Sequence, residues 1–260
     1  MTRSSSPGQS VPLETLVTYL DGFLAVSDIP DAPGALNGLQ VENSGSVQRI
    51  AAAVDACQVT IDAAVDSRAS LLLVHHGMFW GPAQAATGRH WRRLKRLLDH
   101  DIALYSAHIP LDCHPTVGNN AILAAELGVS DTQPFGDYHG TAIGLAGTLS
   151  ESRDSLVASV TNLLGNAPHV IPAGPSEVRR IGIVTGGGGS MIEQARDAGI
   201  DTFLTGEGTH HTHFDAEEWE INVIYGGHYA TETFGVKALA AHLEQEFGIP
   251  WEFLDNPTGL

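Results

Sequence analysis

Apolar positions along the chain change period several times. Leu13, Leu16, Val17, Leu20 and Leu24 form a helical stripe, with Pro12 suited to its first turn. The turn-rich stretch Asp28-Ile-Pro-Asp-Ala-Pro-Gly34 ends it. Beyond that point short apolar runs over 50–54, 71–74, 102–105, 181–185, 202–204 and 223–225 read as strands. Helical patterns separate them, as in Trp91, Leu94, Leu97 and Leu98. Buried-type strands alternating with helices predict an α/β fold with a mostly parallel, helix-covered sheet.

Part of this pattern recurs. Tyr105-Ser-Ala-His108-Ile-Pro-Leu-Asp112 returns as Tyr225-Gly-Gly-His228-Tyr-Ala-Thr-Glu232, 120 residues on (225 − 105), and the same offset links Gly128 to Gly248. Arg49-Ile50 and Arg180-Ile181 each open a strand, with the strand ends His75 and Gly206 both 26 residues later (75 − 49 and 206 − 180). The stretches 120–128 and 240–248 match as helix ends, each with glycine in the C′ place. The chain is therefore expected to be an internal duplication, two related α/β halves at 1–130 and 131–260. The offset falls from 131 to 120 along the repeat, so one copy has a shorter connection.

Composition narrows the functional classes. With 43% hydrophobic and 17% charged residues, the 260-residue chain reads as soluble and globular. No apolar run nears the roughly 20 residues that span a bilayer. The first ten residues lack the apolar centre of a signal peptide and are expected to form a frayed tail. Cys57 and Cys113 make no disulfide framework, which points to a reducing cytoplasm. The net charge of −17, from 30 acidic and 13 basic residues, would repel nucleic acid. The one basic cluster, at 89–96, reads as the solvated face of an amphipathic helix.

The histidines and carboxylates carry the candidate chemistry. His75-His76 follows the apolar run Leu71-Leu-Leu-Val74 and so sits at the carboxyl end of a strand, the ligand-binding edge of parallel α/β sheets. Neighbouring side chains on a strand diverge, which suits contact with two different metals. His108 with Asp112, and His228 with Glu232, put an imidazole and a carboxylate at i, i+4. Pro110 predicts a strand-to-loop turn through the first pair, whereas the second leads into a helix. Glu232 alone would be explained by the helix dipole, but the dipole does not explain the same string in both halves. Imidazole with carboxylate suits zinc, iron, manganese or nickel.

Other polar groups leave alternatives open. The tract His210-His211-Thr-His213 reads as a metal contact, a donor to a ligand or a polar loop, the loop being preferred for His210. Cys113 is either a soft ligand or a packing residue, and His90, His100, His114, His139, His169 and His242 are taken as structural or surface groups. Gly186-Gly-Gly-Gly-Ser190 either cradles phosphate or makes a tight strand-to-helix connection.

Asn37-Gly-Leu-Gln-Val41, Val54-Asp55-Ala56, Val74-His-His-Gly77, Ala107-His-Ile-Pro-Leu-Asp112, Gly118-Asn-Asn120, Gly227-His-Tyr-Ala-Thr-Glu232 and Pro257-Thr-Gly-Leu260 occur together in one chain. This set resembles the Nif-three-like family, also called GTP cyclohydrolase I type 2 homologues or dinuclear-metal-centre hexameric proteins. The resemblance runs from about Leu13 to the end. It implies two related α/β units with a two-metal site in the cleft between them, assembled as a toroidal homohexamer. It places metal ligands at His75, His76, Asp112, His228 and Glu232, holding two divalent cations (zinc, iron or manganese) per subunit. Longer family members carry an inserted domain, for which 130–178 is too short. The expected function is a metal-dependent hydrolase acting on a small nucleotide-like or phosphoester substrate through a metal-bridged water. His108, the repeat mate of His228, is expected to donate a proton or contact substrate. The alternative is a non-catalytic, hexameric metal-binding scaffold or regulator. Neither nucleic acid nor membrane is expected as a partner.

Overall fold

The computed structural model describes residues 10–260, so nearly all of the expected tail lies outside the described residues. Contacts divide the chain into two compact units. One takes the described residues up to Leu111 together with Val236–Asn256; the other takes Asp112–Gly235 with Pro257–Leu260. This division differs from a boundary at 130/131, for two physical reasons. Trp251–Phe253 adds in parallel to Ile50–Asp55, which carries the segment Val236–Asn256 into the first unit. Leu123, Ala124 and Leu127, which precede residue 130, are buried with the strands of the second.

The first unit has a five-stranded sheet in the order Trp251–Phe253, Ile50–Asp55, Leu71–His76, Ala103–Ser106, Gly38–Val41. The first four strands are parallel and Gly38–Val41 is antiparallel. Ile50, Ala51, Ala52 and Ala53 are fully buried, as expected of strands covered on both faces. Helices Gln58–Asp66 and Gly88–Asp99 cover one face, where Ile61, Ala64 and Leu97 meet Ala51, Ala53, Leu72, Val74 and Leu104. Tyr105 follows Leu104 and so faces the other way. Its hydroxyl donates to Asp21 of helix Leu13–Phe23 at 2.8 Å. Tyr19 of that helix bonds His242 at 2.7 Å, which places helix Thr233–Phe247 on the same side.

The second unit has a six-stranded sheet, ordered Ser130–Tyr138, Thr141–Ser152, Glu177–Val184, Thr202–Thr205, Asn222–Tyr225, His169–Pro172. Only its three-strand centre, Glu177–Val184 to Asn222–Tyr225, is parallel. The outer pairings are antiparallel, so the expectation of a mostly parallel sheet fails here. Helices Asn119–Glu126 and Arg153–Leu164 cover one face through Leu123, Leu156 and Val160. Helices Ile192–Asp197 and Thr212–Glu218 cover the other through Ile192, Ala195 and Ala216.

Both units thus contain the same parallel three-strand centre. Ile50 pairs with Leu71 and Ile181 with Thr202, 21 residues on in each (71 − 50 and 202 − 181). In the third strand the copies slip by one place. Tyr105 lies opposite Leu73, but Tyr225 lies opposite Thr205, one step beyond the equivalent Leu204. The two tyrosines therefore serve different contacts: Tyr105 meets Asp21 and Tyr225 meets Thr212. Among the described residues no helix is long and apolar enough to cross a membrane.

Candidate metal centre

In the first unit, three strands end at one edge and deliver chemistry there. His75 and His76 close Leu71–His76, Asp55 closes Ile50–Asp55, and His108 lies two residues past Ala103–Ser106. His75 is fully buried, and its Nδ1 donates to the Ala107 carbonyl at 2.8 Å. His76 Nδ1 donates to Asp55 Oδ1 at 2.9 Å, and His108 Nδ1 to Asp31 Oδ1 at 2.7 Å. An oxygen acceptor at Nδ1 fixes each ring as the Nδ1–H tautomer, so Nε2 is the nitrogen each would offer a cation. Donor atoms of His75, His76 and His108 lie within 4.8 Å of one another. The adjacent rings of His75 and His76 do not diverge as the strand geometry suggested. Their centroids are 4.8 Å apart.

The turn after His108 also differs from expectation. Ile109–Asp112 is a single helical turn with Pro110 inside it, tolerated because the first-turn N–H groups have no helical acceptor anyway. Asp31 anchors this turn. Its carboxylate accepts from Ala32 N at 2.6 Å, Asn37 Nδ2 at 2.7 Å and Ile109 N at 3.1 Å, while Asn37 Oδ1 accepts from His108 N at 2.8 Å. Burial pushes the Asp31 pKa up, but the His108 hydrogen bond and charge, with the Asn37 and Ala32 bonds, outweigh it and hold the group at about 2. Gln40 Oε1 accepts from Met78 N at 2.8 Å, and a Cβ on Gly77 would overlap the Gln40 amide. The stretch 37–40 thus braces both histidine segments. Trp80, 37% exposed, stands edge-on to His108 at 4.7 Å and His76 at 6.2 Å.

The second unit holds Asp112, His228 and Glu232. Asp112 Oδ1 accepts from Asn119 Nδ2 at 2.8 Å and Thr185 Oγ1 at 3.5 Å. Fully buried Asn119 also accepts from Gly235 N at 2.6 Å, and Asn120 Oδ1 accepts from Thr185 N at 2.9 Å. His228 opens the one-turn helix His228–Thr231 after Gly227, whose φ of +98° suits glycine. Its Nδ1 donates to Glu207 Oε1 at 2.9 Å and its Nε2 lies 3.2 Å from Glu232 Oε2. The hydrogen bond and charge of Glu232, then those of Glu207, outweigh burial and lift the His228 pKa to about 9.

Gly186 has φ +67°, and a Cβ there would overlap Glu232 Oε1 and approach His228 Nε2 at 3.4 Å. The Thr185-Gly186 step therefore lies against both Asp112 and Glu232. The glycine run it opens is no phosphate cradle. Gly186 N donates to Thr231 Oγ1, Gly188 N to Thr205 Oγ1 and Gly189 N to the Glu207 carbonyl. It makes the tight strand-to-helix connection, with three of its amides spent on the fold.

His211 bonds Thr209, and His213 lies 3.4 Å from Glu217. Cys57 and Cys113 are both thiols. Sequence reasoning missed three groups that hold the candidate imidazoles from behind: Asp31 behind His108, Asp55 behind His76 and Glu207 behind His228. Asp55 stood in a quoted motif without a role. Asp31 lay in a turn-rich stretch and Glu207 between glycines, where no spacing marks either.

Residues 12–258 match the model of the family described as Duf34/NIF3 (NGG1p interacting factor 3). The chain belongs to this family. The NIF3-family chain is 46% identical to the GTP cyclohydrolase 1 type 2 homolog of Deinococcus radiodurans over 260 residues, 99% of this chain and 98% of the relative. It is 45% identical to the protein of that name from Pyrococcus horikoshii, over 95% of this chain and 99% of the relative. The crystal structure of TTHA1606 from Thermus thermophilus superposes with a TM-score of 0.89 at 42% identity, covering 96% of this chain and all of that one. Reduced HcgD from Methanocaldococcus jannaschii gives 0.86 at 25% identity, with the same coverage. The fold is thus the NIF3 fold, a mixed α/β architecture.

Proposed function

We propose that this NIF3-family protein is a dinuclear divalent-metal hydrolase, with His75, His76, Asp112, His228 and Glu232 as ligands. The observation that carries the reading is the way the imidazoles are held. His75, His76 and His228 each give Nδ1–H to a carbonyl or carboxylate oxygen, the arrangement that orients metal-ligating histidine. Hard carboxylates beside imidazoles fit zinc, iron or manganese. When bound, such a cation pair supplies an activated water and an electrophilic anchor for the atom under attack. His108, fixed by Asp31, would hold or deliver a proton at Nε2, and Trp80 would wall the reacting region from water. Substrates that suit this chemistry are a phosphoester, a nucleotide or a cyclic amidine, and the relatives' name points to a nucleotide. Assembly as a homohexamer in the cytoplasm belongs to the same proposal.

The second reading is a metal-binding scaffold without turnover. It is favoured by the ligand motifs themselves, since 71–77, 107–112 and 227–232 contain no Lys or Arg to meet a phosphate. The test is incubation of metal-loaded protein with nucleotides, cyclic nucleotides and phosphodiesters. Turnover that disappears in His75→Ala, and is lost along with at least one cation in Glu232→Gln, supports the hydrolase. Inertness across the panel leaves the scaffold. Full metal occupancy and turnover in Glu232→Gln removes Glu232 from its assigned role.

A further inference from the structure

The imidazole tract at 210–213 has no part in the cation reading, yet it lines a basin of about 590 Å³ in the second unit. Its walls include Glu207, His210, His213 and Phe214, together with His169 and Tyr225 from two paired strands. The rings of His169 and Tyr225 are stacked, 7° from parallel with centroids 6.0 Å apart. Phe214 is 49% exposed, although it sits on a helix whose Ala216 is fully buried. The Glu207 side chain is half exposed.

Two simpler occupants fit poorly. Among the described residues these imidazoles belong to no group of three or more donors close enough to share one cation. An anion would meet the Glu207 carboxylate with no Lys or Arg in the lining to offset it. A flat ring bearing N–H groups fits well. Aromatic walls accept its faces, Glu207 accepts its N–H donors, and neutral imidazoles can both donate and accept at its rim.

We propose that this basin binds a planar, uncharged nitrogen heterocycle through N–H donors to Glu207, with its faces on the aromatic walls. Glu207 also holds Nδ1 of His228 at 2.9 Å, so the occupant would lie directly behind a candidate cation ligand. The inference rests on the hydrolase reading only for its catalytic meaning, where it names the substrate class; binding itself is independent of any cation.

The test therefore uses cation-free protein, with 2-aminobenzimidazole as probe at a pH where it is neutral. 1-Methylbenzimidazole provides the same ring without donors, and inorganic phosphate is the anion control. Histidine Cε1 resonances are followed by NMR. Saturable shifts of His169, His210 and His213 are expected with 2-aminobenzimidazole, weakened about tenfold or more in Glu207→Gln. The methylated ring should bind about tenfold less tightly in the native protein, Phe214→Ala should weaken both rings, and phosphate should shift nothing. No saturable shift, equal shifts with phosphate, or affinity untouched by both substitutions overturns the proposal. Cation content after reloading is measured on the same samples. Protein that takes up cations but not the heterocycle sinks this inference alone, and the converse sinks only the cation reading.

Discussion

Each of His75, His76, His108 and His228 gives its Nδ1 proton to an oxygen fixed by the fold. Turning such a ring away would break that bond, so the orientation of Nε2 is set before any ligand arrives. Asp55 is the cleanest place to test this, because it touches His76 from behind and is one-third exposed, so its loss costs the core little. Asp55→Ala should lower cation affinity about 10–100-fold, read by competition with a chromophoric chelator. An unchanged affinity would show that Asp55 does not orient the ring. His228 supplies a pH signature. With its pKa near 9, the cation-free ring is an imidazolium at pH ~8, so a cation binding there must expel one proton. Calorimetry in two buffers of different ionisation enthalpy counts that proton, and zero release speaks against His228 as a ligand. The raised pKa also contributes stability that is complete below the usual 6.5 and fades as pH rises through about 9. Asp31 has the opposite sign: held at about 2, it contributes above its usual 3.8 and is lost as pH falls through about 2.

At the scale of elements, His75 and His76 close the strand Leu71–His76, whereas Asp112, His228 and Glu232 lie in or beside single helical turns. The parallel strands were legible in the sequence because burial on both faces makes them continuous apolar runs, and the histidines stood at their ends. Ser130–Tyr138 and Thr141–Ser152 were not legible. The first five residues of that pairing are exposed, so no apolar alternation marks them. Pro110 misled because a proline that forbids a helix interior is harmless in a first turn. The repeat of His108 and His228 was visible as spacing, whereas Asp31 and Glu207 act on them from 77 and 21 residues away (108 − 31 and 228 − 207). Gly186 tests the geometry of the Glu232 turn. Gly186→Ala should displace the Glu232 carboxylate and cut cation binding, since its Cβ has no room and its φ is positive. Gly187→Ala is the control, because the nearest atom to its Cβ is 3.8 Å away and its φ is −84°. Equal cation binding in the two variants would remove Gly186 from the account.

On the scale of the molecule, the two units divide the proposed ligands unevenly in kind: imidazoles only from the first, one imidazole and two carboxylates from the second. A chain with net charge −17 also favours cations near its surface and repels polyanions. The most direct measurement is elemental analysis of protein stripped by chelator, reloaded with zinc, iron or manganese and freed of excess, alongside Glu232→Gln treated identically. The account predicts two cations per chain in the native protein and at most one in the variant. A native protein that retains none, or a variant that retains both, contradicts it.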